Sequence, residues 1–163
     1  MSDTRPLVLL DVDGVLHDRS ARDRIRMSND PDALASSLGV IWVAAGGVRV
    51  AIPESVAEVV RRLVQIAHVW WCTTWGERAN THLAPAIGIE PLPVVGAGTR
   101  GVGIEWKVTH AVPLIDEATS HGRRVVWIED FDGAFPELTD VEFVDTAATG
   151  LISETDLPPG LLP

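Results

Sequence analysis

Residues 7–16 read Leu7-Val8-Leu9-Leu10-Asp11-Val12-Asp13-Gly14-Val15-Leu16. The apolar run 7–10 does not alternate with polar residues, which predicts a β-strand buried on both faces, as in a parallel sheet. Asp11 and Asp13 then project to the same side if the chain stays extended. Gly14 permits a sharp turn and a close approach of a ligand to the backbone. Because two adjacent carboxylates repel each other, this pattern favours a cation-binding site at the end of the strand.

The Asp-x-Asp-Gly pattern alone leaves a second interpretation open. Such strings also occur in ordinary turns, where an aspartate binds backbone N–H groups and the glycine takes a positive φ. The choice between a turn and a functional site therefore depends on the rest of the chain.

Length and composition indicate one globular domain, residues 1–163, with a substantial core. The net charge of −10 argues against broad, sequence-independent binding to nucleic acid. The single cysteine, Cys72, excludes an internal disulfide and indicates a reducing compartment, so we expect a cytoplasmic protein. The N-terminus lacks a signal-peptide core and no apolar run reaches membrane-spanning length, so we expect no membrane association.

Strand and helix patterns alternate along the chain. Apolar runs predict strands at 6–12, 68–72, 92–95, 125–128 and 141–144, and helical periodicity predicts helices at 53–66, 77–86 and 105–121. Alternating strands and helices predict an α/β fold in which a parallel sheet is covered by helices on both faces.

Two segments lie outside this alternation. Residues 17–32 are polar and indicate a loop, followed by a short helix near 31–38. The β-branched runs 40–44 and 48–52 flank Gly46-Gly47 and predict a hairpin, so we expect residues 15–52 to form a flap over the end of the first strand. A short helix is expected near Phe135-Pro136. In the tail, residues 150–163, we expect the apolar pair Leu151-Ile152 to pack against the body.

Polar residues follow several of the predicted strands. Thr73 follows the second strand, Lys107 lies early in the helix before the fourth strand, and Glu129-Asp130 follows the fourth strand. In a parallel sheet these positions share one edge with Asp11 and Asp13. They would supply acids for a divalent cation and a hydroxyl and an ammonium for an anion, which is what phosphoryl transfer requires. Taken singly, Thr73 is also an ordinary strand-end residue, Lys107 a solvated helix residue, and Glu129-Asp130 a turn cap.

The order and spacing of these motifs resemble the haloacid dehalogenase (HAD) superfamily of aspartate-nucleophile phosphotransferases. The run Asp11-Val12-Asp13-Gly14-Val15 matches the first motif, Thr73 the second and Lys107 the third. Glu129-Asp130 matches the fourth motif, where the family more often has two aspartates. More narrowly, 71–75 and 127–130 are similar to the HAD domain of Swiss Army Knife RNA-repair proteins.

The resemblance implies a three-layer Rossmann-like fold with a five-stranded parallel sheet in the order 5-4-1-2-3, and a magnesium-dependent phosphatase. In the family pattern Asp11 attacks phosphorus and Asp13 serves as the acid and base. Mg²⁺ is held by the Asp11 carboxylate, the Asp13 backbone carbonyl and either Glu129 or Asp130. Thr73 and Lys107 hold the phosphoryl oxygens.

The resemblance also bears on the substrate, because the chain has room only for a flap and not for a large cap. An open site could take a nucleic-acid end, whereas the acidic net charge favours a nucleotide or another small phosphomonoester. The candidate substrate contacts are Thr74, Trp75, Arg78 and Trp42, with the tryptophans stacking on a base. A homodimer or a partner domain could complete such a site.

Two alternatives stay open at this point. One is a catalytically weak HAD-like binding module. The other is a dinucleotide-binding oxidoreductase, because Gly96-Ala97-Gly98-Thr99-Arg100-Gly101 matches the dinucleotide fingerprint. Against the oxidoreductase, Val102-Gly103 is expected to continue the loop, whereas that fingerprint requires a helix to open within it.

Overall fold

The computed structural model describes residues 4–45, 47–131 and 133–162. Its strands are β1 (Leu7–Leu10), β2 (Val40–Ala45), β3 (Val48–Pro53), β4 (His68–Trp71), β5 (Val125–Glu129) and β6 (Glu142–Asp145). Its helices are α1 (Arg19–Arg26), α2 (Pro31–Ser37), α3 (Glu54–Ile66), α4 (Ala84–Ile87) and α5 (Gly103–Ser120). A π-helical turn spans Ala79–Leu83 and a 3₁₀ turn spans Glu154–Asp156.

The central sheet consists of four parallel strands in the order β4-β1-β5-β6. β1 lies between β4 and β5, with Leu10 in register with Trp71 on one side and Ile128 on the other. All four residues of β1 are buried, as the unbroken apolar run predicted. The ends of β1 and β5 therefore lie side by side at one edge of the sheet, which is where their acidic residues follow.

The prediction of a third strand over residues 92–95 is wrong: among the described residues this segment forms only an isolated parallel bridge between Trp71 and Val94. Two backbone hydrogen bonds accompany it, from Trp71 N–H to the Pro93 carbonyl and from Val95 N–H to the Trp71 carbonyl. Pro91 and Pro93 have no N–H to donate, so a continuous ladder cannot form. The four strands that do form keep the relative positions predicted for them.

Helices cover both faces of the sheet, which gives the predicted α/β layering. Leu7 and Leu9 pack with Ala111 and Ile115 of α5 on one face. Val8 and Leu10 belong to the opposite cluster, which contains the buried apolar residues of α3. Of the helices described, none combines the length and the apolar character needed to cross a membrane.

The predicted hairpin forms, as antiparallel β2 and β3, and its strands are covered on both faces; Gly46 lies outside the described residues. Val43, Val50 and Ile52 join the main core. On the other face, Trp42 and Ala51 pack in a separate cluster that includes Ile25 of α1 and Ala35 of α2. The flap is therefore a small layered unit with its own apolar cluster.

The prediction of a loop over 17–32 is wrong in part, because α1 (Arg19–Arg26) lies within it. The Asp18 side chain caps this helix by accepting the Ala21 N–H at 2.8 Å. Only Ala21 and Ile25 are buried in α1. One buried pair four residues apart is too short a period to distinguish an eight-residue helix from a polar loop.

Other elements differ from expectation in detail. The helix predicted over 77–86 forms instead as the π-helical turn and α4, and Pro85, which cannot donate a backbone hydrogen bond, falls in the first turn of α4. The short helix predicted near Phe135 does not form. The Phe135 ring instead packs against Phe131 and Phe143. In the tail, Ile152 is buried and its N–H donates to the Val15 carbonyl at 2.8 Å, as predicted for the apolar pair.

The Asn80 side chain connects the irregular segment 88–93, which follows α4, to β4 of the sheet. Its Oδ1 accepts hydrogen bonds from Trp71 Nε1 at 3.0 Å and from Leu92 N–H at 2.8 Å. Its Nδ2 donates to the Leu92 carbonyl at 2.7 Å. One amide side chain thus supplies the pairing that Pro91 and Pro93 deny to the backbone.

We predict that Asn80→Ala lowers the free energy of unfolding by about 1–3 kcal/mol, because the Trp71 indole N–H and both Leu92 backbone groups lose their partner. Denaturant titration monitored by tryptophan fluorescence measures this. Thr81→Ala is the matched control, since the Thr81 hydroxyl is exposed and, among the described residues, donates to the Glu77 carbonyl within the same turn alone. A loss no greater than that of Thr81→Ala would contradict this role for Asn80.

Candidate functional site

Asp11 lies at the carboxyl end of β1, in the middle of the sheet edge. Its backbone N–H continues the ladder by donating to the Ile128 carbonyl at 3.1 Å. The side chain is 3% exposed, so its carboxylate is nearly cut off from bulk water. A buried carboxylate needs a partner of opposite charge to remain ionised.

Lys107 provides that partner from the second turn of α5. Its Nζ lies 3.0 Å from Asp11 Oδ1 and donates to both carboxylate oxygens of Glu129, each at 2.7 Å. The lysine is itself buried. Burial would lower the pKa of Lys107, but the charges of Asp11 and Glu129 outweigh it and raise that pKa. Lys107 therefore stays a cation, and the predicted solvated-helix alternative for this residue does not hold.

Three carboxylates crowd around this ammonium. Ligand oxygens of Asp11, Glu129 and Asp130 all lie within 4.8 Å of one another. Burial, and then the charge of Asp11, raise the pKa of Glu129 to about 9, although Lys107 opposes the shift. Burial and the charge of Asp11 also raise the pKa of Asp130. The raised pKa values show that one lysine is not enough to keep all three acids ionised. A further cation among them would lower these pKa values, so the arrangement is suited to bind one.

The donor set fits Mg²⁺. Magnesium prefers carboxylate oxygens, takes one or two of them, and keeps water in its remaining positions. Asp11, Glu129 and Asp130 offer such oxygens at the wall of a cleft of about 300 Å³. The chemistry of these residues is therefore suited to the predicted cofactor.

The two acids at the end of β5, Glu129 and Asp130, differ in their surroundings. Both oxygens of Glu129 are occupied by Lys107, and Trp127 Nε1 lies 3.4 Å from one of them. Asp130 is only partly buried and faces the cleft. The loop that follows is held by Asp145, whose Oδ1 accepts the Phe131 N–H at 3.0 Å. Asp130 is thus positioned at the site with an accessible carboxylate.

Gly14 permits this position of Asp130. Its φ is +74°, and a Cβ built on it would overlap the Asp130 carboxylate and lie 2.7 Å from Asp130 Cβ. The Gly14 carbonyl accepts a hydrogen bond from the buried Thr146 hydroxyl at 2.6 Å, and Thr146 N–H donates to the Glu129 carbonyl at 3.0 Å. The loops after β1 and β5 are therefore packed directly on each other.

Asp13 lines the same cleft, but its carboxylate has a different partner. The indole Nε1 of Trp75 donates to Asp13 Oδ2 at 3.0 Å. The side chain of Asp13 does not belong to the group of three acids that could share a metal. Asp11 and Asp13 are thus distinguished by their contacts, one with an ammonium and one with an indole.

The two threonines after β4 differ in their exposure, and although both line the cavity beside residues 94–101, Thr74 alone of the two also lines the cleft. Thr73 is fully buried, and its Oγ1 lies 3.3 Å from the Trp75 N–H, which donates to it. Thr74 is exposed and lines the cleft together with Asp11 and Lys107, whereas Thr73 lines an adjoining cavity beside residues 94–101.

Of the other predicted substrate contacts, Trp75 contacts the site through its hydrogen bond to Asp13. Arg78 is exposed and stacks over Trp75, with Cζ 5.4 Å from the ring. Trp42 packs in the flap cluster beneath Arg49 and is not one of the described residues that line the cleft. The structure therefore gives Trp42 a packing role and does not bring it to Asp11.

The glycine-rich run 96–101 is explained by packing. A Cβ at Gly96 would lie 2.7 Å from Trp106 Cζ2, and one at Gly101 would overlap the same indole. α5 begins only at Gly103, so no helix opens within the run. These two observations weigh against a dinucleotide site.

Several cleft residues had no signal in the sequence. Ile104, Phe131 and Ala134 line the cleft, and apolar residues in such positions cannot be told from core residues by pattern. The bond between Trp75 and Asp13 joins residues far apart in sequence, so spacing could not reveal it either. The Asp-Gly motif predicted that a ligand approaches the backbone at Gly14, whereas the structure places the Asp130 side chain against it.

We predict that Gly14→Ala weakens Mg²⁺ binding at least tenfold, because the new methyl group displaces the Asp130 carboxylate. Isothermal titration calorimetry with Mg²⁺ measures this. Gly160→Ala is the matched control: Gly160 also has φ +74°, but no atom lies within 4 Å of its Cβ position. Both variants carry backbone strain of about 1 kcal/mol. Equal Mg²⁺ affinity in the two variants would show that Asp130 does not depend on Gly14.

Comparisons with known proteins assign no family to this chain. No protein-family model matches it, and neither a curated protein nor a solved structure matches it significantly. The function of this chain is therefore inferred from the geometry of the site.

Proposed function

We propose that this protein is a magnesium-dependent phosphatase that hydrolyses phosphomonoesters through an aspartyl-phosphate on Asp11. The observation that supports it best is the contact of buried Lys107 with both Asp11 and Glu129, with Asp130 beside them. This arrangement holds a carboxylate ionised for attack while keeping positive charge where phosphoryl oxygens would lie.

In the first proposed step, a carboxylate oxygen of Asp11 attacks phosphorus. A new P–O bond to Asp11 forms as the bond from phosphorus to the leaving oxygen breaks. Asp13 donates its proton to that oxygen, so the alcohol leaves neutral. Lys107 and the Thr74 hydroxyl, which both line the cleft, are suited to stabilise charge on the phosphoryl oxygens. The buried Thr73 hydroxyl, which accepts the Trp75 N–H, is placed to hold the turn after β4.

In the second step, water hydrolyses the aspartyl-phosphate. Asp13, now ionised, accepts a proton from the water as its oxygen bonds to phosphorus. The bond from Asp11 to phosphorus breaks, which releases inorganic phosphate and restores both aspartates. The Trp75 hydrogen bond at 3.0 Å orients the Asp13 carboxylate for both transfers.

Asp11 and Asp130 would hold the magnesium ion, with the Asp13 backbone carbonyl as the third ligand from the protein. When bound, Mg²⁺ neutralises the phosphoryl charge and orients the group for in-line attack. Glu129 is proposed to act mainly on Lys107, because that ammonium occupies both of its oxygens. This assignment selects Asp130 from the two acids that the sequence left open.

The substrate is proposed to be a nucleotide or a polynucleotide terminal phosphate, because the cleft is open and no large cap lies over it in the described part of the chain. A cytoplasmic location and completion of the site by a second copy or a partner domain remain predictions. The alternative is a catalytically weak binding module, and the following experiment distinguishes it from a phosphatase.

We predict magnesium-dependent phosphate release that falls at least about 10³-fold in Asp11→Asn, because the amide is a poor nucleophile. The assay compares para-nitrophenyl phosphate, nucleoside monophosphates and oligonucleotides phosphorylated at the 3′ or 5′ end. Asp116→Asn, which makes the same change on the exposed side of α5, should retain full activity. No release from any of these substrates by folded, Mg²⁺-loaded protein would favour the binding module.

We predict that the loss of kcat/KM caused by Asp13→Asn depends on the leaving group of the substrate. Its kcat/KM should fall about 10²-fold for a nucleoside monophosphate but less than about 10-fold for para-nitrophenyl phosphate, because nitrophenolate leaves without a proton. Trp75→Phe, which removes the hydrogen-bond donor to Asp13, should also lower kcat/KM more for the nucleoside monophosphate than for para-nitrophenyl phosphate, but by a smaller factor. Equal losses on both substrates would contradict Asp13 as the acid.

A further inference from the structure

Three arginines converge on a groove between α1 and the start of β3. Arg22 and Arg26 of α1 and Arg49 of β3 line this groove together with Gly47 and Val48, and its volume is about 430 Å³. None of these lining residues is acidic. Arg26 and Arg49 are exposed, and Arg22 is half-buried. We call this surface the arginine groove.

Most of the positive charge of the arginine groove is not neutralised by the part of the protein that the structure describes. Arg26 and Arg49 form no ion pair with any described residue, whereas Arg22 pairs with the neighbouring Asp23 at 2.8 Å. The Arg49 Cζ lies 6.0 Å from the centre of the Trp42 ring, a contact that positions the guanidinium without neutralising it. Because like charges repel, guanidinium groups that share one space favour an anion between them.

The charge of this surface differs from that of the whole chain. The net charge is −10, yet α1 holds four of the 13 lysines and arginines within eight residues. Part of this pattern has a local explanation, because Arg24 and Arg26 lie in the last turn of α1, where basic side chains complement the helix dipole. The dipole does not account for Arg22 in the middle of α1 or for Arg49 on a different element. The convergence of these arginines therefore indicates an anionic partner.

α1 connects the arginine groove with the cleft beside Asp11. The first two residues of α1, Arg19 and Ser20, line a cavity that shares Asp130 with that cleft. Since an α-helix rises about 1.5 Å per residue, Arg26 lies about 10 Å further along α1 than Arg19. A nucleic-acid strand advances about 3.4 Å per nucleotide, so about three nucleotides span this distance.

We propose that the arginine groove binds the phosphodiester backbone of a nucleic-acid strand whose terminal phosphate lies in the cleft beside Asp11. The inference rests on the proposed phosphatase function and selects a polynucleotide end over a free nucleotide as its substrate. Guanidinium groups bind phosphate oxygens through paired, charge-assisted hydrogen bonds. A strand brings several phosphates to the groove at once, whereas a mononucleotide held at Asp11 brings none.

A nucleic-acid strand fits the two sites together better than an acidic peptide does. A peptide would bring carboxylates to the arginines, but the adjoining cleft is proposed to take a phosphate. One strand supplies both a terminal phosphate and a chain of further anions. DNA and RNA share this backbone, so strands of both kinds are included in the test.

The first test measures kcat/KM, with Mg²⁺, for oligoadenylates of one, two, four and six nucleotides with a 3′- or 5′-terminal phosphate. We expect kcat/KM to rise at least about tenfold from one nucleotide to six, with most of the gain beyond two nucleotides. Arg26→Gln and Arg49→Gln should each lower this ratio at least about threefold. Arg24→Gln is the matched control and should keep the ratio, because Arg24 is also exposed in the last turn of α1 but does not line the groove.

A binding measurement separates the arginine groove from catalysis. In the Asp11→Asn background with Mg²⁺, fluorescence anisotropy measures Kd for a labelled six-nucleotide strand at several KCl concentrations. A plot of log Kd against log [KCl] should have a slope of about 2, because each phosphate neutralised on a single strand contributes about 0.7. Arg26→Gln should lower this slope by about 0.7, whereas Arg24→Gln should leave it unchanged.

The outcomes distinguish this inference from the proposed function. Strand binding that weakens in Arg26→Gln, without phosphate release by the wild-type protein, would support the groove and reject the phosphatase. Phosphate release that does not depend on strand length, or equal salt slopes in Arg26→Gln and Arg24→Gln, would overturn the groove. Hexaglutamate that competes as well as the unlabelled strand would overturn nucleic acid as the ligand.

Discussion

The site depends on one buried ammonium held between carboxylates. Lys107 contacts Asp11 and Glu129 at 3.0 and 2.7 Å with almost no exposure to water. Removing such a charge from water is costly unless the surrounding hydrogen bonds are complete. The ends of β1 and β5 and the second turn of α5 must therefore remain in fixed relation, and the parallel pairing of β1 with β5 provides that relation.

The sequence predicted correctly those elements whose hydrophobic period or turn residues lie within one segment. The buried run of β1, the hairpin of β2 and β3, and helices α3 and α5 each have a hydrophobic period or turn signal within one segment. The grouping of Asp11, Lys107 and Glu129 followed from the rule that parallel strands end at a common edge. These residues needed only the correct alternation of strands and helices to be placed together.

The misses arise where distant residues decide the outcome. A strand over 92–95 was predicted from its apolar residues, but Pro91 and Pro93 interrupt pairing and Asn80 replaces it. α1 was missed because its two buried residues, Ala21 and Ile25, pack against residues of the flap that are distant in sequence. The Asp18 cap before it was a local signal that the prediction of a loop overlooked. The approach of Asp130 to Gly14 and the choice of Trp75 as partner of Asp13 are contacts between separate loops, which no local pattern describes.

The flap has a consequence for turnover. Because β2 and β3 bury side chains on both faces, swinging the hairpin away would expose two apolar surfaces at once, at about 25 cal/mol for each Å² uncovered. The Ala51 N–H also donates to His17 Nδ1, and the Ala51 carbonyl accepts the Asp18 N–H. These two hydrogen bonds join the hairpin to the loop after β1. Such an element behaves as a rigid part of the fold rather than as a hinged lid. Under the proposed function, product release would therefore not wait on an opening motion of this hairpin.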